Sequence, residues 1–158
     1  MGRLLVDTCV YSNFALIGRY ELLETLHGKA LIVLRLVETE IKNGIPSLPK
    51  LEVGLRAIAE GRLDVLDDVT EDELRTAQEL PRKFSAADRV GLAVALHRKW
   101  ELVTDERSLL RECAARGVAT VRTEDLLLEA VEKGLLARED LSKVVGEMER
   151  EASFRPNV

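Results

Sequence analysis

The strongest constraint on the fold is a rhythm. Short aliphatic runs, Leu4-Leu5-Val6, Ala30 to Leu34 and Leu102-Val103, are separated by longer stretches with helical apolar spacing. A strand with one face in water alternates apolar and polar residues. These runs do not alternate, so they read as strands buried on both faces, which requires a parallel sheet covered by helices. Between and after them the spacing predicts helices over Val10 to Ile17, Tyr20 to Leu26, Leu36 to Lys42 and Leu51 to Ala59, followed by a third strand around Leu63, Val65 and Leu66. Thr70 with Glu73 forms a capping box that opens a polar helix to about Glu79, and Ser85 opens the most apolar helix, Ala86 to Arg98. A strand over Glu101 to Thr104, a helix from Arg107 to Arg116, a strand over Val118 to Val121 and helices over Glu124 to Lys133 and Arg138 to Arg150 complete the alternation. The expected architecture is α/β: a three-layer α/β/α sandwich with a parallel sheet of four or five strands. Residues 1–150 are expected to form a single domain that includes the two C-terminal helices, and 151–158 an extended polar tail.

The chain has 158 residues, enough to bury a core without disulfides or metals, and 46% of them are hydrophobic against 32% charged. Those values exclude a disordered chain. No apolar run is long enough to cross a bilayer, and the first residues lack the features of a signal peptide, so a cytoplasmic protein with no membrane association is expected. Cys9 and Cys113 lack metal-type spacing and read as reduced thiols. A net charge of −5 gives no whole-molecule attraction to a polyanion, so such a partner would need local basic residues or bound cations.

Acids at strand ends carry the chemistry. Asp7 follows the first strand and Asp105 follows Leu102-Val103-Thr104, so both lie along the carboxyl edge of the sheet, where open α/β folds place their ligands. Asp88 lies in the first turn of the most apolar helix, and Glu40 on the short helix after the second strand. Each has a purely structural explanation: Asp7 as a helix N-cap, Asp88 as part of an S-x-x-D capping box with Ser85, Glu40 as a solvated helix face beside Glu38. Together they converge on one edge. Four close carboxylates repel one another, and a divalent cation removes that conflict. The absence of His and Cys from the set favours an oxygen-liganded ion, Mg²⁺ or Mn²⁺, over zinc, and such an ion commonly completes its shell with phosphate oxygens.

The run Val6-Asp7-Thr8-Cys9-Val10-Tyr11-Ser12-Asn13-Phe14, the pair Glu40-Ile41, Ser85-Ala86-Ala87-Asp88 before an Ala-rich helix, and Leu102-Val103-Thr104-Asp105 with Ala114-Ala115-Arg116-Gly117-Val118 together resemble PIN domains, the nucleases that include VapC toxins. The C-terminal part, with Thr123, Leu126-Leu127, Lys133-Gly134-Leu135-Leu136 and Phe154-Arg155, is similar to a mostly uncharacterised prokaryotic branch of PIN-like proteins. The resemblance runs from about residue 3 to residue 156. It implies a Mg²⁺- or Mn²⁺-dependent endoribonuclease acting on single-stranded or structured RNA. It matches Asp7, Glu40, Asp88 and Asp105 to the family's acidic, metal-holding positions, with Glu38 the alternative if the short helix is offset by two residues. Thr8, Ser12 and Thr104 match small polar positions near the metal, and Asn13 is their neighbour. One departure stands out: many members of that branch carry Gly-Glu-Ala at the start of the apolar helix, where this chain has Ala87-Asp88-Arg89, closer to the broader family.

As the toxin of a toxin–antitoxin pair the chain would bind an antitoxin protein, and the resemblance also implies a homodimer. For the dimer the C-terminal helices offer apolar stripes at Leu126, Leu127 and Val131 and at Leu141, Val144, Val145 and Met148, which core packing explains equally well. An acidic pocket repels RNA, so Arg89, Arg107 and Arg111 are the candidate rim cations. His27 and His97 are expected to be structural. A catalytically weak PIN-like module that binds RNA or protein is the alternative. A phosphoacceptor domain also uses strand-end acids, but it leaves Glu40 unexplained and, in its haloacid-dehalogenase form, wants an acid where Cys9 stands.

Overall fold

A computed structural model describes residues 2–156. Five short strands, β1 (Leu4–Val6), β2 (Leu31–Leu34), β3 (Asp64–Leu66), β4 (Glu101–Val103) and β5 (Thr120–Val121), form one all-parallel sheet in the order β3-β2-β1-β4-β5. β1 is the central strand, with Leu5 registered against Ile32 on one side and Leu102 on the other. All of β1 and β2 is buried, as their unalternating composition requires. Chain direction along the sheet reverses after β3: β1 to β3 run outward one way, and the chain then crosses to β4 on the far side of β1. The gap between β1 and β4 is therefore the topological switch point, where the first turns after adjacent strands diverge and leave a crevice.

Nine α-helices among the described residues complete the layers: α1 (Thr8–Leu16), α2 (Tyr20–His27), α3 (Arg35–Gly44), α4 (Glu52–Ala59), α5 (Glu71–Glu79), α6 (Ala86–Arg98), α7 (Arg107–Arg116), α8 (Thr123–Glu132) and α9 (Leu141–Glu151). One layer is built around α1, which packs on α2, α3 and α9, and the other around α6, which packs on α5 and α7. This is the α/β/α sandwich expected from the alternation, with five strands. The capping box at Thr70 and Glu73 forms in full. α6 crosses the sheet closely: a Cβ added to Gly91 would lie 3.5 Å from Leu102 Cδ1 and 3.8 Å from Leu5 Cδ2. That proximity brings the first turn of α6, with Asp88, over the carboxyl edge.

Two local expectations change. Of the run Val118 to Val121 only Thr120 and Val121 pair as strand, while Val118 packs into the core just after the left-handed Gly117 ends α7. Residues 151–156 are polar in composition but not a free tail: α9 continues to Glu151, and Phe154 turns back into the core with 3% of its surface exposed; residues 157–158 of the expected tail lie outside the described residues. The apolar stripes of α8 and α9 are used for the same purpose, since Leu126, Leu127, Val144 and Met148 are all buried within this chain. Cys9 and Cys113 are both free thiols. No described helix is long and apolar enough to cross a membrane.

Candidate metal and nucleic-acid site

The crevice at the switch point opens into a cavity of ≈ 740 Å³ whose lining includes Asp7, Glu40, Asp88 and Asp105. Asp7 follows β1 and Asp105 follows β4, so the two strands flanking the crevice each contribute one acid. Glu40 reaches in from α3 and Asp88 from α6, one from each helical layer. Thr8 and Ser12, one helical turn apart, and Cys9 and Asn13, likewise, add the amino-terminal half of α1 to the wall.

Asp7 occupies the N-cap position of α1 but makes no side-chain capping bond. Its Oδ2 instead accepts hydrogen bonds from Thr104 Oγ1 at 2.8 Å and from the Cys9 thiol at 3.4 Å. A capping role alone does not account for Asp7, because its carboxylate is held across the switch point by Thr104, the residue that follows β4. Thr104 is fully buried and also accepts from the Glu106 backbone N–H at 3.2 Å, so it orients Asp7 from below and presents nothing to the cavity.

At Asp88 the capping explanation is half met. Ser85 Oγ accepts from the Asp88 backbone N–H at 3.1 Å, which satisfies the start of α6. The reciprocal bond, from the Ser85 backbone to the Asp88 carboxylate, does not form, in contrast to the complete box at Thr70. The Asp88 carboxylate faces the cavity instead.

Asp105 is the most constrained of the four. Its Oδ2 accepts from Thr123 Oγ1 at 2.6 Å and from Asn13 Nδ2 at 3.0 Å, and its Oδ1 accepts from the Thr123 backbone N–H at 2.8 Å. Asn13 and Thr123 are themselves bonded at 3.0 Å and buried. Three donors hold this carboxylate in one orientation. Thr123 was not singled out from the sequence as a site residue, although the signal was there: it follows β5 as Asp7 follows β1 and Asp105 follows β4.

On α3 the two glutamates point in different directions. Glu40 faces the cavity and accepts from Thr8 Oγ1 at 2.8 Å. Glu38, two residues and about 200° away, is buried and ion-paired to Arg35 at 2.6 Å. Of the candidate rim cations, Arg107 lines the cavity. Arg89 and Arg111 do not, and Arg89 is half-buried on α6 with its Nε lacking a partner among the described residues. His27 bonds Glu129 at 2.8 Å and His97 bonds Thr76 at 2.7 Å, both outside the cavity. Further lining residues that the sequence did not suggest are Leu48, Glu106 and the segment Glu151 to Arg155. Glu106 has a structural task as well, capping α7 by accepting from the Ser108 and Leu109 backbone N–H groups.

The electrostatics follow from burial and crowding. Desolvation raises the pKa of Asp7, and the Thr104 and Cys9 hydrogen bonds offset it only in part. Asp7 and Asp88 both back onto an apolar crevice formed by Leu5, Val6, Leu34, Val37 and Leu109, which accounts for that desolvation. Asp88 is pushed up to about 6, first by burial and then by the negative charges of Asp7, Glu106 and Glu40. Two acids thus carry an unrelieved cost of ionisation.

Among the described residues no three acidic, histidine or cysteine side chains converge tightly enough to form a ready-made metal cage. The donor set still suits Mg²⁺ or Mn²⁺. Every carboxylate at the cavity is a hard oxygen donor, and Mg²⁺ takes one or two carboxylates directly and keeps several waters. The raised pKa of Asp88 is the cost that such a cation would remove.

A family model described as a PIN domain matches residues 3–157. The crystal structure of PAE2754 from Pyrobaculum aerophilum is similar with a TM-score of 0.58 and 24% sequence identity, covering 82% of this chain and 96% of that one. At that identity the likeness is one of fold. No curated protein matches the chain.

Proposed function

The chain belongs to the PIN-domain family, a nuclease-type fold, and from that premise we propose that it is a divalent-metal-dependent endoribonuclease that hydrolyses phosphodiester bonds of RNA in the cytoplasm. The observation that carries the proposal is that the acids ending the two strands at the switch point, Asp7 and Asp105, open into one cavity with Glu40 and Asp88. Asp7 and Asp88 would hold the Mg²⁺ or Mn²⁺, with Asp105 and Glu40 binding it directly or through its waters. A cation bound there supplies a water of lowered pKa and neutralises charge on the phosphate.

The remaining residues prepare the site. Thr104 fixes Asp7, Asn13 and Thr123 fix Asp105, and Thr8 holds Glu40. Locked orientation of this kind matters because metal-binding carboxylates lose affinity or activity by about 10- to 100-fold when their supporting hydrogen bonds are removed. Thr8, Ser12 and Arg107 face the space in which substrate would lie.

The proposal extends to the toxin of a toxin–antitoxin pair, with a homodimer as the assembled form. Exposed Leu48 on the cavity wall is an apolar side chain that a protein partner covering this mouth would bury.

The test is cleavage of a mixed single-stranded and structured RNA pool with Mn²⁺, with EDTA, and with an Asp7→Asn variant. The expected result is cleavage by the wild type with Mn²⁺ and its loss in the other two arms. A folded wild type that binds RNA but cuts nothing with Mn²⁺ or Mg²⁺ would favour a binding module.

A further inference from the structure

The geometry points to Arg155, carried on the carboxy-terminal segment, as a substrate-positioning residue that contacts a backbone phosphate of the nucleic acid in the acidic cavity. This rests on the nuclease reading of that cavity. The wall is acidic on most sides: besides the four acids already described, Glu106 and Glu151 line it. A polyanion entering such a space is repelled at every phosphate that a bound cation does not cover, so part of the strand must meet fixed positive charge. Among the described lining residues two side chains carry it, Arg107 and Arg155.

Arg155 is set apart by how it is held. Several arginines of this chain are neutralised by carboxylates, among them Arg3 by Asp64, Arg35 by Glu38 and Asp67, Arg62 by Glu24 and Glu60, and Arg98 by Glu73 and Asp68; Arg107 is in no ion pair among the described residues. Arg155 forms no ion pair among the described residues. Its Nη1 donates to two main-chain carbonyls, Phe154 at 2.7 Å and Glu149 at 3.2 Å. Those bonds orient the guanidinium and leave its charge uncompensated. One Nη1 is committed, while Nε and Nη2 make no bond among the described residues and are available as a fork for phosphate oxygens.

The segment that carries Arg155 is anchored on the side that precedes it. The Ala152 backbone N–H bonds back to the Met148 carbonyl at 2.9 Å, which ends α9, and Phe154 is buried in the core. That anchor and the two Nη1 bonds hold an exposed cation at the mouth before substrate binds. Sequence reading treats Glu151 to Val158 as polar tail, and the one phenylalanine in it is what turns it into a wall of the site.

Arg155→Ala tests the assignment without touching Phe154, and Arg116→Ala, which removes an equal charge paired with Glu112 outside the cavity, is the control. Affinity for a short fluorescein-labelled single-stranded RNA is measured in EDTA as a function of salt, and steady-state cleavage of the same RNA is measured with Mn²⁺. Arg155→Ala is expected to weaken binding about 5-fold and to reduce the slope of log affinity against log salt by about 0.7, one single-strand phosphate contact. It should raise KM with kcat within about 2-fold, and Arg155→Lys should recover part of the affinity, because the charge is kept and the fork is lost. Arg155→Ala binding RNA like wild type, or losing no more than Arg116→Ala, would overturn the assignment while leaving the nuclease reading intact. Absence of both binding and cleavage by the wild type would overturn both.

Discussion

The Thr104 hydroxyl donates to Asp7 Oδ2 at 2.8 Å, joining the carboxyl ends of β4 and β1 across the switch point of the sheet. The bond is buried at Thr104 and costs nothing in backbone geometry, because parallel pairing of Val6 with Val103 already sets the two residues side by side. Thr104→Val keeps the shape and removes the donor. Mn²⁺ affinity or cleavage should fall about 10- to 100-fold, with about 1 kcal/mol lost in stability, while Thr104→Ser should retain most of both. Parallel Mn²⁺ titrations and thermal melts check it.

Glu38 and Glu40 separate function from folding on one helix. Glu40→Gln should leave the melting temperature near that of the wild type and reduce metal-dependent cleavage by about 10-fold or more. Glu38→Gln should do the reverse, lowering the melting temperature by breaking the buried partner of Arg35 and leaving cleavage close to normal. Equal loss of cleavage in both variants would mean that α3 is rotated from the position described.

Asp88 gives the pH dependence. Its pKa is raised to about 6 in the fold from an ordinary value of 3.8. Between those values the folded state binds more protons than the unfolded state, so stability falls as pH rises through that window. Without metal, Asp88→Asn should be more stable than wild type at pH 7.5 by an amount on the order of 1 kcal/mol after solvent screening is allowed for, and the difference should vanish below about pH 4. Saturating Mn²⁺ should reverse the sign at pH 7.5, because the wild type gains a ligand that the variant lacks. Melts in EDTA and in Mn²⁺ across that range decide it.

A packing prediction concerns the base of α1. The Tyr11 hydroxyl donates to the Leu51 carbonyl and accepts from the Gly54 backbone N–H at 2.8 Å, tying α1 to the start of α4. A Cβ at residue 54 would lie 2.6 Å from the Tyr11 ring at Cζ and Cε1. Gly54→Ala should therefore destabilise the protein by about 2 kcal/mol or more, and Tyr11→Phe by about 1 to 3 kcal/mol, through the unpaired buried groups it leaves. Chemical denaturation measures both.

The sheet was legible because buried parallel strands have a composition that few other elements share, and its carboxyl edge follows from chain direction alone. That is why Asp7 and Asp105 could be placed together before any coordinates. Their supports were less legible. Asn13 and Thr104 are expected near the metal; Thr104 is buried behind Asp7 and Asn13 is buried in the cavity wall against Asp105, a difference in depth that local sequence does not encode. Thr123 lies more than a hundred residues from Asn13, and only the pairing of β5 with β4 brings it under Asp105. Arg89 follows Asp88 directly, and neighbours on a helix diverge by about 100°, which is why it misses the cavity. The carboxy-terminal wall depends on one aromatic residue in a polar stretch, too little for periodicity to detect.

In the proposed function the acids at the switch point hold a divalent cation. Crystals soaked in Mn²⁺ and measured near the manganese absorption edge locate that ion directly. An anomalous peak is expected in the cavity within bonding distance of the Asp7 carboxylate and at least one of Asp88, Asp105 or Glu40. Manganese bound elsewhere, with the cavity empty of anomalous signal at a concentration that supports cleavage, would contradict it.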